Sequence, residues 1–231
     1  MPARSLTPVD RAAWLAERGQ YVVDDYDEGA ATYDDIDYPR EVQEVWVGRL
    51  VATCPSGGSV LDAACGTGRY FPVTVAAGRR VVGVDQSSGM LAQARARGLA
   101  EALHHVGLRD LAFDAAFDGA ICVDALENVP PEDWPAVVAN LARAVRPGSH
   151  LYLTVEETDD AQLDAALTAL LSAGAPAVRG EVVEGDVAGY HFYPGRDRVG
   201  QWLRDAGLDV VDEAVDPHDG WAYRHLLLRR A

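Results

Sequence analysis

Gly66 and Gly68, in the run Val60-Leu-Asp-Ala-Ala-Cys-Gly-Thr-Gly-Arg-Tyr70, are the residues best placed to do chemistry through the main chain. Two glycines at that spacing, closing a short apolar run, let the backbone approach a ligand, and the free N–H groups of a following helix face whatever rests there. A dinucleotide needs a third small residue to seat that helix. Counting from Gly66 puts Phe71 in that place, and counting from Ala64 puts Arg69 there, so NAD and FAD are disfavoured. A second apolar run ends in Asp85, nineteen residues beyond Gly66, about where an acidic residue closing a second strand reaches ribose hydroxyls. The implied ligand carries a ribose without a pyrophosphate.

Four segments then fall into a recognisable series: Leu61-Asp-Ala-Ala-Cys-Gly-Thr-Gly68, Gly83-Val-Asp-Gln-Ser87, Phe117-Asp118, and Leu141-Ala-Arg-Ala-Val-Arg-Pro-Gly148-Ser149. In order and spacing the chain resembles the class I S-adenosylmethionine-dependent methyltransferases, over roughly residues 30 to 230. The resemblance implies S-adenosyl-L-methionine as cofactor, held by Asp62, Ala64, Gly66 and Gly68, with Asp85 on the ribose and Gln86 and Met90 beside the adenine. Met90 reads equally well as a plain core residue, since methionine fills gaps. In small-molecule members a Tyr-Asp pair ahead of the core folds over the methionine end. Tyr33-Asp34 is the matching pair here and Tyr26-Asp27 the alternative, while the plainer reading is a surface segment whose rings pack on the core. The family's acidic residue after strand three is replaced by Gly107, which leaves the adenine contact to the Leu108 N–H or to Asp110.

Transfer of a methyl group from a sulfonium is a one-step displacement. It asks the protein for placement and for no nucleophile, so the lack of a Ser-His-Asp or Cys-His arrangement fits. A hydroxyl acceptor gains from a positioned base, while a neutral amine attacks through its own lone pair. His191, Glu127 and Glu156 are the candidate catalytic residues, with Glu157 beside them, and Asp124 leaves the fourth strand at the mouth of the site. A hydrogen-bonded strand histidine is the plainer reading of His191. Relatives often place His in the loop after strand four, where this chain has Asn128. Convergence of Asp124, Glu127 and Glu156 would favour a cationic or amine acceptor. The expected reaction is methylation of an oxygen or nitrogen atom of a small metabolite; the alternative is a cofactor-binding protein of the same fold running another reaction.

The elements that must position these groups follow from the apolar pattern. An α/β fold is expected, a Rossmann-like doubly wound seven-stranded sheet of order 3-2-1-4-5-7-6 with its last strand antiparallel. Residues 5–19 read as a short amphipathic helix carrying Leu6, Val9, Trp14 and Leu15, capped by Thr7 or Asp10. From Tyr21 to Tyr38 there are four tyrosines and seven carboxylates in eighteen residues, poor core material with little helical period. Pro39 to Thr53 reads as a helix with Val42, Val45, Trp46, Leu50 and Val51 on its buried stripe. Strands are predicted at 59–63, 80–84, 103–108, 118–123, 150–155, 208–215 and 221–229, and helices at 69–77, 91–97, 130–145 and 198–206. Nearly forty residues separate Glu156 from Pro194, more than a strand-to-helix loop requires, and a helix from Asp160 to Ala173 with a hairpin around Gly185 fills them as a lid.

Length and composition bound the rest. At 231 residues one full α/β domain is expected: 1–54 an N-terminal helical and lid segment, 55–156 the cofactor core, 157–194 the lid insertion, and 195–231 the completion of the core. Twenty basic against thirty-six acidic residues leave a formal charge of −16, which repels a nucleic-acid backbone and leaves a small-molecule methyl acceptor as the expected partner. No run of about eighteen apolar residues and no signal-peptide core occur, so a soluble, cytoplasmic protein with no membrane partner is expected. Three unevenly spaced cysteines suggest neither a disulfide framework nor zinc, and no metal is expected.

Overall fold

The computed structural model describes residues 10–35, 41–183 and 189–231. Its strands are β1 (Ser59–Ala63), β2 (Arg80–Asp85), β3 (Ala102–His105), β4 (Phe117–Cys122), β5 (Val145–Thr158), β6 (Glu181–Val183), β7 (Tyr190–Phe192), β8 (Leu208–Pro217) and β9 (Trp221–Arg230). Seven of them make one sheet in the order β3-β2-β1-β4-β5-β9-β8, while β6 and β7 pair apart from it. Counting only the strands of the large sheet, this is 3-2-1-4-5-7-6. β1 to β5 pair in parallel, and β9 runs antiparallel to both β5 and β8. β1 is buried at every position, as a central strand covered on both faces must be. The order reverses on either side of β1, and a sheet of this kind opens its ligand crevice at the carboxyl ends flanking that point.

The described residues form seven α-helices: α1 (Arg11–Gly29), α2 (Glu41–Thr53), α3 (Phe71–Ala76), α4 (Ser88–Arg97), α5 (Trp134–Ala144), α6 (Asp160–Ser172) and α7 (Arg196–Asp205). Trp46, Val47, Leu50 and Val51 of α2 pack with Val60, Ile121 and Tyr152. Trp134, Val138 and Leu141 of α5 and Leu203 of α7 join the larger cluster with Leu61 and Leu151. Burial of such side chains at roughly 1.5–3 kcal/mol each supplies the main drive to form these two layers.

Several boundaries differ from the sequence-based expectation. α1 does not stop near residue 19 but runs through the acidic stretch to Gly29. Its inward positions, Trp14, Val22 and Tyr26, recur at multiples of four, while Asp24, Asp25 and Glu28 face solvent. The acids near its end are also anchored by tertiary contacts: Asp27 accepts from the Ser87 hydroxyl and from the Gly89 N–H, at 2.8 Å for the latter, so it caps α4 across space. Asp10 caps α1 itself by accepting from Ala12 N; Leu6, Thr7 and Val9 lie outside the described residues, as do Pro39 and Arg40.

On α2 the buried stripe is turned from the predicted one. Val42 and Val45 are exposed, whereas Gln43 is buried with no partner for either amide atom. β5 begins at Val145, five residues early, because Val145 pairs with Phe117 before the chain breaks register around Pro147 and Gly148 and resumes with His150 opposite Gly119. β6 and β7 form the expected hairpin, with Glu181 opposite Phe192; its tip, including Gly185, lies outside the described residues. Among the described residues no helix is long and apolar enough to cross a membrane.

Candidate active site

A cavity of about 760 Å³ opens at the carboxyl ends of β1, β2 and β4. The turn leaving β1 forms its floor. Ala64 has φ 59° and Gly66 φ 53°, so two left-handed residues two apart fold the main chain back under the cavity. Alanine tolerates that conformation only at a cost of roughly 1–2 kcal/mol, so the surrounding contacts impose it. Gly66 N donates to Asp85 Oδ2 at 2.8 Å and Ser87 N to Asp85 Oδ1 at 2.8 Å, which locks the carboxylate at the end of β2 beside the bend. Burial pushes the Asp85 carboxyl above the ordinary carboxylate range, against the opposing pull of those backbone N–H groups.

Of the residues the sequence analysis singled out, Tyr33, Ala64, Gly66, Asp85, Gln86, Met90, Leu108 and Asp124 do line this cavity. Asp62 and Gly68 do not. Asp62 lies behind the bend, fully enclosed, with Oδ2 lacking any partner; burial and then the nearby Asp85 push its carboxyl up to about 8. Gly68, at φ 77°, lets the chain pass the Phe71 ring, whose carbons would lie 2.5 Å from an added Cβ. Its place is under the wall because the turn has already folded away from the opening. Gly107, Leu108 and Asp110 all reach the cavity from the single turn Leu108–Asp110, which Asn140 Nδ2 steadies by donating to Leu108 O at 3.2 Å.

The candidate catalytic residues Glu127 and Glu156 are brought together with Asp124 and His191, but they lie behind the cavity wall. Carboxylate oxygens of Asp124, Glu127 and Glu156 lie within 4.8 Å of one another. Only Asp124 of the three lines the cavity. Glu127 and Glu156 are buried, and His191 on β7 places Nδ1 3.1 Å from Glu156 Oε2 on the far side. His191 and the two glutamates therefore reach the cavity through Asp124. Burial raises the carboxyl of Asp124; the Tyr223 hydroxyl, donating to its Oδ1, works against the rise, and Glu156 adds to it. Burial, then Asp124 and Glu156, push Glu127 well above the ordinary range. Asn128 Nδ2 donates to Glu127 Oε1 at 2.9 Å and also meets the Tyr26 hydroxyl. Three carboxylates this close could share a cation, an arrangement that spacings of three and twenty-nine residues do not announce.

Sequence reasoning left Arg69, Tyr70 and Tyr223 unassigned and named Tyr26 as the alternative to Tyr33. Tyr26 and Tyr33 meet edge to face at 6.0 Å, and both line the cavity. The Arg69 guanidinium lies 5.0 Å from the Tyr33 ring centre, and its Nε is buried without a partner. The adjacency of Arg69 to the glycine bend was a usable signal. For Tyr223, on a strand ninety-nine residues from Asp124, no local signal exists.

A roof crosses the cavity mouth. Arg11 of α1 donates to both oxygens of the buried Glu181 at 3.0 and 2.9 Å and to Glu132 before α5, while the Tyr190 hydroxyl donates to Glu181 at 2.7 Å. One guanidinium thus joins α1, the segment after β4, and the hairpin.

Residues 60–148 match the family model described as a methyltransferase domain. The chain is 29% identical over 183 residues to the ubiquinone biosynthesis O-methyltransferase of Xanthomonas axonopodis pv. citri, covering 76% of this chain and 73% of that one. It is 36% identical over 134 residues to the malonyl-[acyl-carrier protein] O-methyltransferase of Serratia marcescens, covering 56% and 50%. Among solved structures, the Burkholderia thailandensis 1,6-didemethyltoxoflavin-N1-methyltransferase, crystallised with 1,6-didemethyltoxoflavin and S-adenosylhomocysteine, superposes with a TM-score of 0.69 at 20% identity, covering 100% of this chain and 93% of that chain. The magnesium protoporphyrin IX methyltransferase of Synechocystis PCC 6803, with S-adenosylhomocysteine bound, gives 0.67 at 19% identity, covering 93% and 100%. With the reversed last strand, the left-handed bend after β1 and the acid closing β2, the chain carries a methyltransferase domain over residues 60–148 and is similar to S-adenosylmethionine-dependent methyltransferases. It is an enzyme of methyl transfer, with S-adenosyl-L-methionine as its cofactor.

Proposed function

We propose that this enzyme methylates an oxygen or nitrogen atom of a small metabolite held between α1 and the segment after β4. The observation that carries the reading is the single cavity that begins at the glycine bend and continues under α1 past Asp124. Two buried polar atoms without partners suit the cofactor's zwitterionic end: Arg69 Nε, on the cavity wall, suits its carboxylate, and Asp62 Oδ2, behind the bend, puts a negative charge on the side of its ammonium. Asp85, with both oxygens steadied by backbone N–H groups, has remaining lone pairs for ribose hydroxyls. Met90 and Leu108 supply apolar surface and a backbone donor for the adenine, and Gln86 closes the rim.

Bound S-adenosylmethionine supplies the methyl group as an electrophile. The chain's work is placement and proton handling. Tyr26, Tyr33 and Asn128 shape the wall where the acceptor atom rests, and α1 excludes water from above. Asp124 is the cavity carboxylate able to take the acceptor's proton at Oδ2, since Oδ1 is held by Tyr223. Its raised affinity for a proton makes it a better base than a solvated aspartate. Glu127, Glu156 and His191 set the charge around Asp124 from behind.

The test is incubation with isotopically methyl-labelled cofactor and a small-metabolite extract. Label should appear in a small product carrying a new O- or N-methyl group. Cofactor turnover without such a product, or label found only on macromolecules, would overturn the assignment.

A further inference from the structure

The cavity has a second half that the cofactor residues do not touch. One wall is the inner face of α1, where Leu15, Arg18, Gly19, Val22 and Tyr26 recur at helical spacing, and the facing wall is Val129, Pro130 and Val137. A Cβ built on Gly19 meets nothing within 4 Å, so any side chain there would project into open space beside that wall.

The cations around this half are not equivalent. Arg11 is consumed by Glu181 and Glu132, and Arg109 by Asp133. Among the described residues Arg18 meets Glu17 Oε1, at 3.2 Å, from a neighbour whose side chain is 66% exposed, and lies 5.8 Å from the Tyr21 ring centre. Its own side chain is 17% exposed, and Nε is buried with no acceptor. A guanidinium so placed offers planar donors to an incoming carboxylate or phosphate. The acids on the same wall include Glu132 and Asp133, already occupied by Arg11 and Arg109, and Asp110 at the turn after β3. Along α1, Arg18 precedes Tyr26 by eight residues, about 12 Å at 1.5 Å per residue. Tyr26 marks the end beside Asp124 and Asn128.

From this arrangement, and resting on the methyl-transfer reading above, we infer that the acceptor is an elongated, mainly apolar molecule bearing an anionic group remote from the methylated atom. Arg18 grips the anion, and Gly19 leaves the width for the apolar body. Arg18 and Gly19 set which acceptor is taken; neither touches the reacting atoms.

The test uses the full chain saturated with S-adenosylhomocysteine and calorimetric titration with 4′-hydroxybiphenyl-4-carboxylate, its neutral carboxamide, and 4′-hydroxybiphenyl-4-yl phosphate. At least one anionic probe should bind tenfold or more tighter than the carboxamide, roughly the value of a charge-assisted contact, and the two anions compared identify which head group the site takes. Arg18→Gln should erase that preference while leaving carboxamide affinity within about twofold. Gly19→Leu, which improves helix propensity and so folds, should weaken all three probes about tenfold. Both variants should bind S-adenosylhomocysteine as the parent does. No anion preference in the parent, a preference that survives Arg18→Gln, or unchanged probe binding in Gly19→Leu would overturn the inference. Failure of the parent to bind S-adenosylhomocysteine would overturn the cofactor placement beneath it.

Discussion

Replacing Asp62 by Asn should change how the stability of the cofactor-free protein depends on pH. The carboxyl is fully enclosed, lacks a partner at Oδ2, and is pushed from 3.8 up to about 8 by burial and by Asp85. Between those two values the folded chain holds a proton that the unfolded chain has released. Stability therefore falls as pH rises through that window, by about 1.4 kcal/mol per pH unit, and the loss levels off above the folded value. At pH 7, roughly three units above the unfolded value, the cumulative cost is about 4 kcal/mol. Asn cannot ionise, so the variant escapes the slope whatever constant offset its amide introduces. Urea unfolding of both proteins at pH 5, 6 and 7 is the assay. From pH 5 to pH 7 the parent should lose about 3 kcal/mol relative to Asp62→Asn. Parallel stability curves would show that Asp62 is ionised in the folded chain and would remove the argument that it awaits a cationic partner.

Three further outcomes follow from the site. Asp85→Ala should weaken S-adenosylhomocysteine binding at least tenfold in calorimetry, since a charge-assisted ribose contact contributes roughly 1.5–3 kcal/mol. His191→Ala should leave that affinity unchanged while lowering turnover, because His191 reaches the cavity only through Glu156 and Asp124; wild-type turnover would reduce it to a strand histidine. Arg11→Ala strands Glu181, which is 0% exposed, without its cation and should cost about 3–5 kcal/mol in chemical unfolding. A loss under 1 kcal/mol would mean that Tyr190 and the Val178 N–H suffice for that carboxylate.

The bend after β1 and the acid closing β2 were legible because their signals are local. Gly66, Gly68 and Asp85 sit at fixed offsets at the ends of apolar runs, and strand order follows once those runs are placed. What was hidden depends on contacts distant in sequence. The acidic stretch after residue 20 reads as loop by composition, yet Val22 and Tyr26 face inward and Asp27 is held by the start of α4 some sixty residues away. α2 buries Gln43 in preference to Val42, a choice against polarity that no periodicity rule selects. The carboxylate group combines β5 with the loop after β4, and its donor Tyr223 arrives on the last strand, so neither its closeness nor its position behind the wall could be read from spacing. Gly68 was placed on the ligand by motif, whereas it does not line the cavity and, at φ 77° beside the Phe71 ring, lets the turn pass.

The ion pair of Arg11 with Glu181 has a consequence for traffic through the enzyme. Helix and hairpin share one buried negative charge, so neither can lift alone without leaving that charge in a medium unable to solvate it, while the loop is tied to the same guanidinium through the exposed Glu132. Opening over the acceptor half is then a concerted movement of helix and hairpin, whereas the knot beside the glycine bend, where Asp34 meets Thr67, Arg69 and Arg97, centres on a carboxylate that solvent already reaches. Methylated product and spent cofactor leave by doors of unequal stiffness, and the heavier door is the one above the product.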